Sequence, residues 1–223
     1  MKWIPVIAVL SIVSLLVTGC SASRLVNPIG SGKINVSVDA GGPIFKYGEN
    51  YIPMPLSSVS AAYGLHPDLS LFAGGHATAL FYGTGQIDIG AVKELLSPMQ
   101  ARPGISITPA LNMMLDAWEY HPRIYPSLDL NLYWHVYERK DYFYFGMSNW
   151  FEILFKRAHG ESQPTHWVPA VHGGYTFIPG KMRFTLEAKY LAPWHSNQDI
   201  TVEYYGPLKT GTLGAYLSVG YTF

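Results

Sequence analysis

The sequence predicts an all-β fold, an antiparallel up-and-down transmembrane β-barrel of about ten strands. Three observations predict it. From Gly32 onward apolar and polar residues alternate with a period of two, and Gly, Pro, Asn and Asp punctuate the segments. Charged residues are only 13% of the 223-residue chain, aromatics are 14%, and the formal net charge is zero. Ordinary soluble domains carry about 25% charged residues, so such a surface suits lipid better than water. Finally, tight and long connections alternate along the chain, as they do between the two ends of a transmembrane barrel.

The chain opens on Lys2, an apolar run from Ile4 to Val17, and then Val17-Thr18-Gly19-Cys20. The run is short, close to the start and closed by small residues, which are the marks of an export signal rather than of a spanning helix. These residues resemble the signal peptide and lipobox of a bacterial lipoprotein. The resemblance implies removal of residues 1–19, lipidation of Cys20, and residues 20–31 as a lipidated tether facing the periplasm, ahead of a barrel over 32–223. In enterobacterial lipoproteins a residue such as Ser21 after the cysteine favours passage to the outer membrane. Cys20 is the only cysteine. Once it is lipidated no thiol remains for a disulfide or a cysteine-held metal.

The first strands are expected at 33–40, 58–65, 69–81, 86–95 and 104–115. The clearest is 125–137, where Leu128, Leu130, Leu132, Trp134 and Val136 alternate with Ser127, Asp129, Asn131, Tyr133 and His135. Residues 142–155 follow, with Phe143, Phe145 and Met147 on one face and Tyr144, Gly146 and Ser148 on the other. Segments 167–177, 182–192 and 213–223 complete an even number of strands, as bacterial barrels require. Residues 92–96 and 111–118 also fit helical turns, and Pro109, Pro126 and Pro169 fall where a ladder hydrogen bond would be lost. With both barrel ends periplasmic, the turns near 66–68, 97–103, 138–141 and 178–181 are periplasmic. The longer stretches 41–55, 116–123, 156–166 and 193–210 face outward, with 82–85 as a short outer hairpin.

Alternation leaves open which face is inside, so a lipocalin-like soluble barrel with an apolar lumen is the structural competitor. Energetics favours the membrane: Arg183 or Lys189 turned toward lipid near the midplane would cost about 2–4 kcal/mol each. The polar face is also mainly Ser, Thr, Gly, Ala and Tyr, thin cover for a water-facing surface. Trp118, Tyr120, Tyr125, Trp167 and Trp194 near the outer strand ends are expected to form an aromatic girdle. The terminal Tyr221-Thr222-Phe223 resembles the C-terminal signal read by the barrel assembly machinery. Resemblance to small outer-membrane barrels then covers the chain from about Gly32 to Phe223, and implies outer-membrane lipid and lipopolysaccharide as surroundings. The neutral composition offers nothing for nucleic acid.

A barrel of this size has a lumen that side chains largely fill, whereas general porins use about 16 to 18 strands. The inward Asp39, Asp88, Asp129, Glu152, Arg183, Glu187 and Lys189 are expected to form a paired ionic plug, because buried charges persist when partnered. His76, His135 and His172 are expected to hydrogen-bond within the lumen. His121, His159, His166 and His195 fall near acidic residues in the outer loops, without a recognised ligand spacing, so neither metal nor cofactor is expected. His195-Ser196-Asn197, beyond the penultimate strand, looks like the catalytic region of the outer-membrane lipid A deacylases. That resemblance makes His195 and Ser196 the catalytic candidates of a lipid A-modifying hydrolase. In the family one residue separates histidine from serine, so that both point the same way. Here they are adjacent, and adjacent residues on an extended chain face opposite sides. The expected role is therefore non-catalytic binding, interaction or architecture in the envelope, with the hydrolase, a narrow selective pore and a ligand-binding barrel as alternatives.

Overall fold

The computed structural model describes residues 23–116, 122–136, 140–156, 161–198 and 202–223. Its strands are β1 (Ile34–Tyr47), β2 (Asn50–Pro53), β3 (Leu56–His66), β4 (Leu69–His76), β5 (Thr84–Leu96) and β6 (Gly104–Asp116). Then follow β7 (Pro122–His135), β8 (Tyr142–Phe151), β9 (Trp167–Phe177), β10 (Met182–Ser196) and β11 (Thr210–Thr222). Ten of them close a barrel. Each pairs antiparallel with its sequence neighbour, and β11 returns to β1 from Asn35↔Thr222 to Pro43↔Gly214, which leaves no free edge. The short β2 only folds back on the end of β1, from Ile44↔Pro53 to Tyr47↔Asn50.

The expected strands thus appear, and of the two stretches that also fit helical turns residues 92–96 are extended within β5 and residues 111–116 within β6. One correction concerns residues 77–81, expected to continue a strand. They form a short helix, α1 (Ala77–Phe81). The reason lies in the partner: Ser58 already pairs with His76, and β3 begins only two residues before it, so a longer β4 would have little ladder to join. A second concerns residues 152–155, which leave the β8 ladder after Phe151.

The prolines sit where one side of the ladder is interrupted. Pairing of β5 with β6 skips from Gly90↔Ala110 to Lys93↔Ile107, bracketing Pro109. Pro126 lies just beyond the last β7–β8 pair, Ser127↔Trp150, and Pro169 just beyond the last β9–β10 pair, Leu191↔Ala170. Each missing N–H therefore falls at a gap.

At the rim where β1 begins and β11 ends, here the near rim, the connections between strands are tight. In one of them Asp68 accepts hydrogen bonds from Lys93 Nζ and His66 Nδ1. These partners, Lys93 first, pull its carboxyl down from 3.8 to about 2. A carboxyl depressed in the folded state adds stability that is complete above its unfolded value and lost as pH falls through the folded one. The chain should therefore be more stable than Asp68→Asn at pH 6, and the two thermal midpoints should converge between pH 4 and 2. Parallel midpoints across that range would show that the carboxylate contributes nothing.

Candidate functional site: the lumen and the arm that closes it

Outward positions are apolar and open to the surroundings: Val38, Val59, Ile87, Leu130, Phe145, Leu186 and Leu217 are all exposed, Leu186 by 65%. The inward positions between them are small or polar and buried, among them Ser70, Ser106, Thr108, Asn112, Asn131 and Thr176. A strand alternates its side chains between two faces, so one register decision sets all of them. The decision here puts the polar set inside.

Residues 23–31 occupy this lumen. They enter at the near rim through a turn in which Gly30 (φ 89°) and Gly32 (φ 71°) adopt the left-handed conformation that favours glycine. There Gly32 N–H donates to Gly64 O at 2.8 Å. A Cβ on Gly64 would lie 1.7 Å from Gly30 O, so the wall must be glycine for the arm to pass. Higher up, Ile29 N–H donates to Ser70 Oγ at 3.1 Å, and Ser106 Oγ donates to Val26 O. Ile29 packs with Ala62, Phe72, Val92 and Ala110 on one wall, and Val26 with Tyr133, Tyr142 and Tyr144 on the other. These two apolar contacts bring an otherwise irregular segment into a polar channel.

At mid-height the arm presents Arg24. Its Nη1 donates to Ser127 Oγ at 3.0 Å and its Nη2 to Asn112 Oδ1 at 2.7 Å. Asp88 Oδ2 lies 3.7 Å from Nε, and Asp129 Oδ2 lies 3.6 Å from Nη1. The guanidinium also stands 5.9 Å from the ring centre of Phe72 and 5.8 Å from that of Trp150. Asp88 in turn contacts His76 Nε2 at 3.1 Å.

The expected inward charges fall into separate groups around the arm, and only some of them are ion pairs. Lys189 Nζ meets Glu187 Oε1 at 3.1 Å, Tyr144 OH donates to Glu187 Oε2 at 2.8 Å, and Lys189 lies 5.1 Å from the Tyr216 ring centre. Asp39 accepts from Ser58 Oγ at 3.3 Å. Glu152 Oε2 faces Arg123 Nη1 at 3.8 Å near the far rim. Arg183 is at the near rim, where Nη1 donates to Tyr142 OH at 2.7 Å and both Nη atoms face Asn27 Oδ1 of the arm. Among the described residues its partners are thus a phenol and an amide, not a carboxylate.

His172 lies between Ser148 Oγ, 3.2 Å from Nδ1, and Asn131 Oδ1, 2.8 Å from Nε2. This order resembles a nucleophile, base and orienting group, but Ser148 is 3% exposed and the adjoining cavity has room for about one water molecule. The chain of bonds holds the wall together rather than opening to a substrate. His76 is likewise buried, whereas His135 shares the inward parity of Asp129 and Asn131 but is exposed at the near rim. Its ring packs edge-on against Tyr133 and Tyr142.

At the far rim His195 and Ser196 end β10 and are both exposed. Ser196 Oγ accepts from Gln198 N–H at 3.2 Å, and the ladder is irregular between Leu191 and Ser196. His166 bonds Glu152 O at 2.8 Å, while His121 and His159 lie outside the described residues, as does Cys20. Among the described residues no group of three or more His, Cys, Asp or Glu converges as metal ligands would. Trp167 and Trp194 stand together on the outer face, ring centres 5.5 Å apart. Tyr125 is a correction: it is buried and its ring lies 6.2 Å from that of Trp150, because it shares the parity of lumenal Ser127 and Asp129. Trp118 and Tyr120 lie outside the described residues.

Arg24 is the site residue that sequence reasoning missed. No period marks a nine-residue arm, and the one local signal is the Gly30-Ser31-Gly32 turn that reverses the chain.

No family model matches the chain, and no curated protein matches it. Among solved structures it is similar to the translocator domain of autotransporter NalP from Neisseria meningitidis, with 9% identity over 99% of this chain and 95% of that one, TM-score 0.44. It is also similar to the outer membrane protease OmpT from Escherichia coli, with 10% identity, 91% and 100% coverage and TM-score 0.37. A third is Ail, the attachment invasion locus protein of Yersinia pestis, with 10% identity, 86% and 99% coverage and TM-score 0.29. At such identities the likeness concerns the fold alone.

Proposed function

We propose that the chain is an outer-membrane β-barrel closed by its own N-terminal arm, serving binding, interaction or architecture in the envelope rather than catalysis or solute diffusion. The observation that carries this reading is the polarity of the wall: apolar side chains cover the outside, and hydrogen-bonded polar ones face the arm. A soluble ligand-binding cup needs the reverse arrangement. A closed barrel satisfies every strand edge, which is what hydrocarbon demands of a spanning backbone. Its strands, commonly ten residues or more, are long enough for a tilted crossing.

The surroundings we propose are outer-membrane lipid and lipopolysaccharide, with the terminal Phe223 read by the barrel assembly machinery. Folded protein should migrate faster on unboiled than on boiled SDS gels, and planar bilayers containing it should stay silent. Steady conductance by the intact chain would replace this reading with that of a narrow selective pore.

The lipobox makes Cys20 the proposed lipidation site. Ser23 is buried in the lumen within hydrogen-bonding reach of Tyr144, and three residues span at most about 10 Å of extended chain. We infer that a lipid on Cys20 inserted in the periplasmic leaflet draws the arm out of the lumen. Lipidation and a seated arm are alternative states of one chain. Mass spectrometry of the mature N-terminal peptide, paired with protease access to residues 24–31, should find lipid and access together. Lipidated chains with a protected arm would break the link.

A further inference from the structure

We propose that mid-lumen is a binding site for a guanidinium group, which Arg24 occupies as a tethered ligand and which an untethered guanidinium compound can occupy in its place.

The site is built rather than incidental. Asn112 and Ser127 are buried and each accepts one hydrogen bond from the guanidinium. The aromatic rings of Phe72 and Trp150 flank it, and the Asp88 and Asp129 carboxylates approach its edge. A planar fork with donors in fixed directions fits such a set, and a compact ammonium does not. The four polar wall groups, Asp88, Asn112, Ser127 and Asp129, come from three adjacent strands, β5, β6 and β7, so the closed sheet holds the receptor in place without the arm.

Two features show that Arg24 does not exhaust the site. Both carboxylate contacts, at 3.6 and 3.7 Å, are charge contacts too long for hydrogen bonds. Arg24 Nε and Asp129 Oδ1 are buried without a hydrogen-bond partner. The arm, fixed at Val26 and Ile29 by its bonds to Ser106 and Ser70, limits how far the guanidinium can advance. A free guanidinium is not so limited, and can reach the paired geometry with a carboxylate that makes these contacts strong. Without Arg24 the neighbourhood carries the Asp88 and Asp129 carboxylates with His76 against Asp88, while Lys189, on the same cavity, is already paired with Glu187, so a cation is needed for charge balance.

The test uses the full chain carrying Arg24→Ala, folded in detergent or lipid vesicles, with methylguanidinium as probe and methylammonium as control. Calorimetric titration should give saturable binding of methylguanidinium to Arg24→Ala and none to the unsubstituted chain. Preference over methylammonium should be about tenfold or more. Adding Asp129→Asn to Arg24→Ala should weaken the binding. If Arg24→Ala does not fold alone, methylguanidinium present during refolding should restore the heat-modifiable barrel and methylammonium should not. Equal response to the two cations, or no response in binding and refolding alike, would overturn the proposal.

Discussion

Leu130→Arg is expected to cost about 2–4 kcal/mol of folding stability in lipid vesicles, the range for a cation on the lipid face near the midplane of a transmembrane barrel. Leu130 lies well inside β7, pairs with Ile107 and Met147, and points outward with 42% exposure. An arginine there meets acyl chains and has no carboxylate of the lumen within reach, since the wall stands between. Its neighbours Asp129 and Asn131 point the other way and are buried. Urea titration of the vesicle-folded protein, followed by gel mobility, measures the loss, with Leu130→Ala as the control for lost side-chain volume. A cost no greater than that of the control would mean that water, not lipid, bathes this face.

Lys189→Met should be as damaging or more so, by about 3–5 kcal/mol, because it strands a buried carboxylate. Lys189 and Glu187 have side chains only 3% exposed, and their 3.1 Å contact is the cationic half of the balance around Glu187. Tyr144 supplies one hydrogen bond to the other carboxylate oxygen, which cannot replace a charge. The double substitution Lys189→Met with Glu187→Gln should recover much of the loss, since removing both charges removes the uncompensated one. Additive losses in the same urea titration would show that the two side chains act independently.

How much of this was legible beforehand follows from the range of each interaction. The inward placement of Asp88, Asp129, Glu187 and Lys189 follows from parity within a strand, a local property. Their partners do not follow: Glu187 meets Lys189 two residues away, but Asp88 and Asp129 meet Arg24 from another part of the chain. Parity also places Tyr125 inside, against its expected role in the girdle, because side-chain period outweighs nearness to a strand end. The end of β4 at His76 depended on where its neighbour stops, which no property of residues 77–81 reveals.

The sequence by itself determined about ten amphipathic strands and a polar face kept apart from a greasy one, because both are written in runs of neighbouring residues. Only the tertiary structure decided that β11 closes on β1 and that the arm fills the space enclosed. Arg24 bonds to Asn112 and Ser127, 88 and 103 residues away, across a lumen that exists only once the sheet has closed. A contact of that kind leaves no period and no spacing in the chain, so the closed wall creates the site.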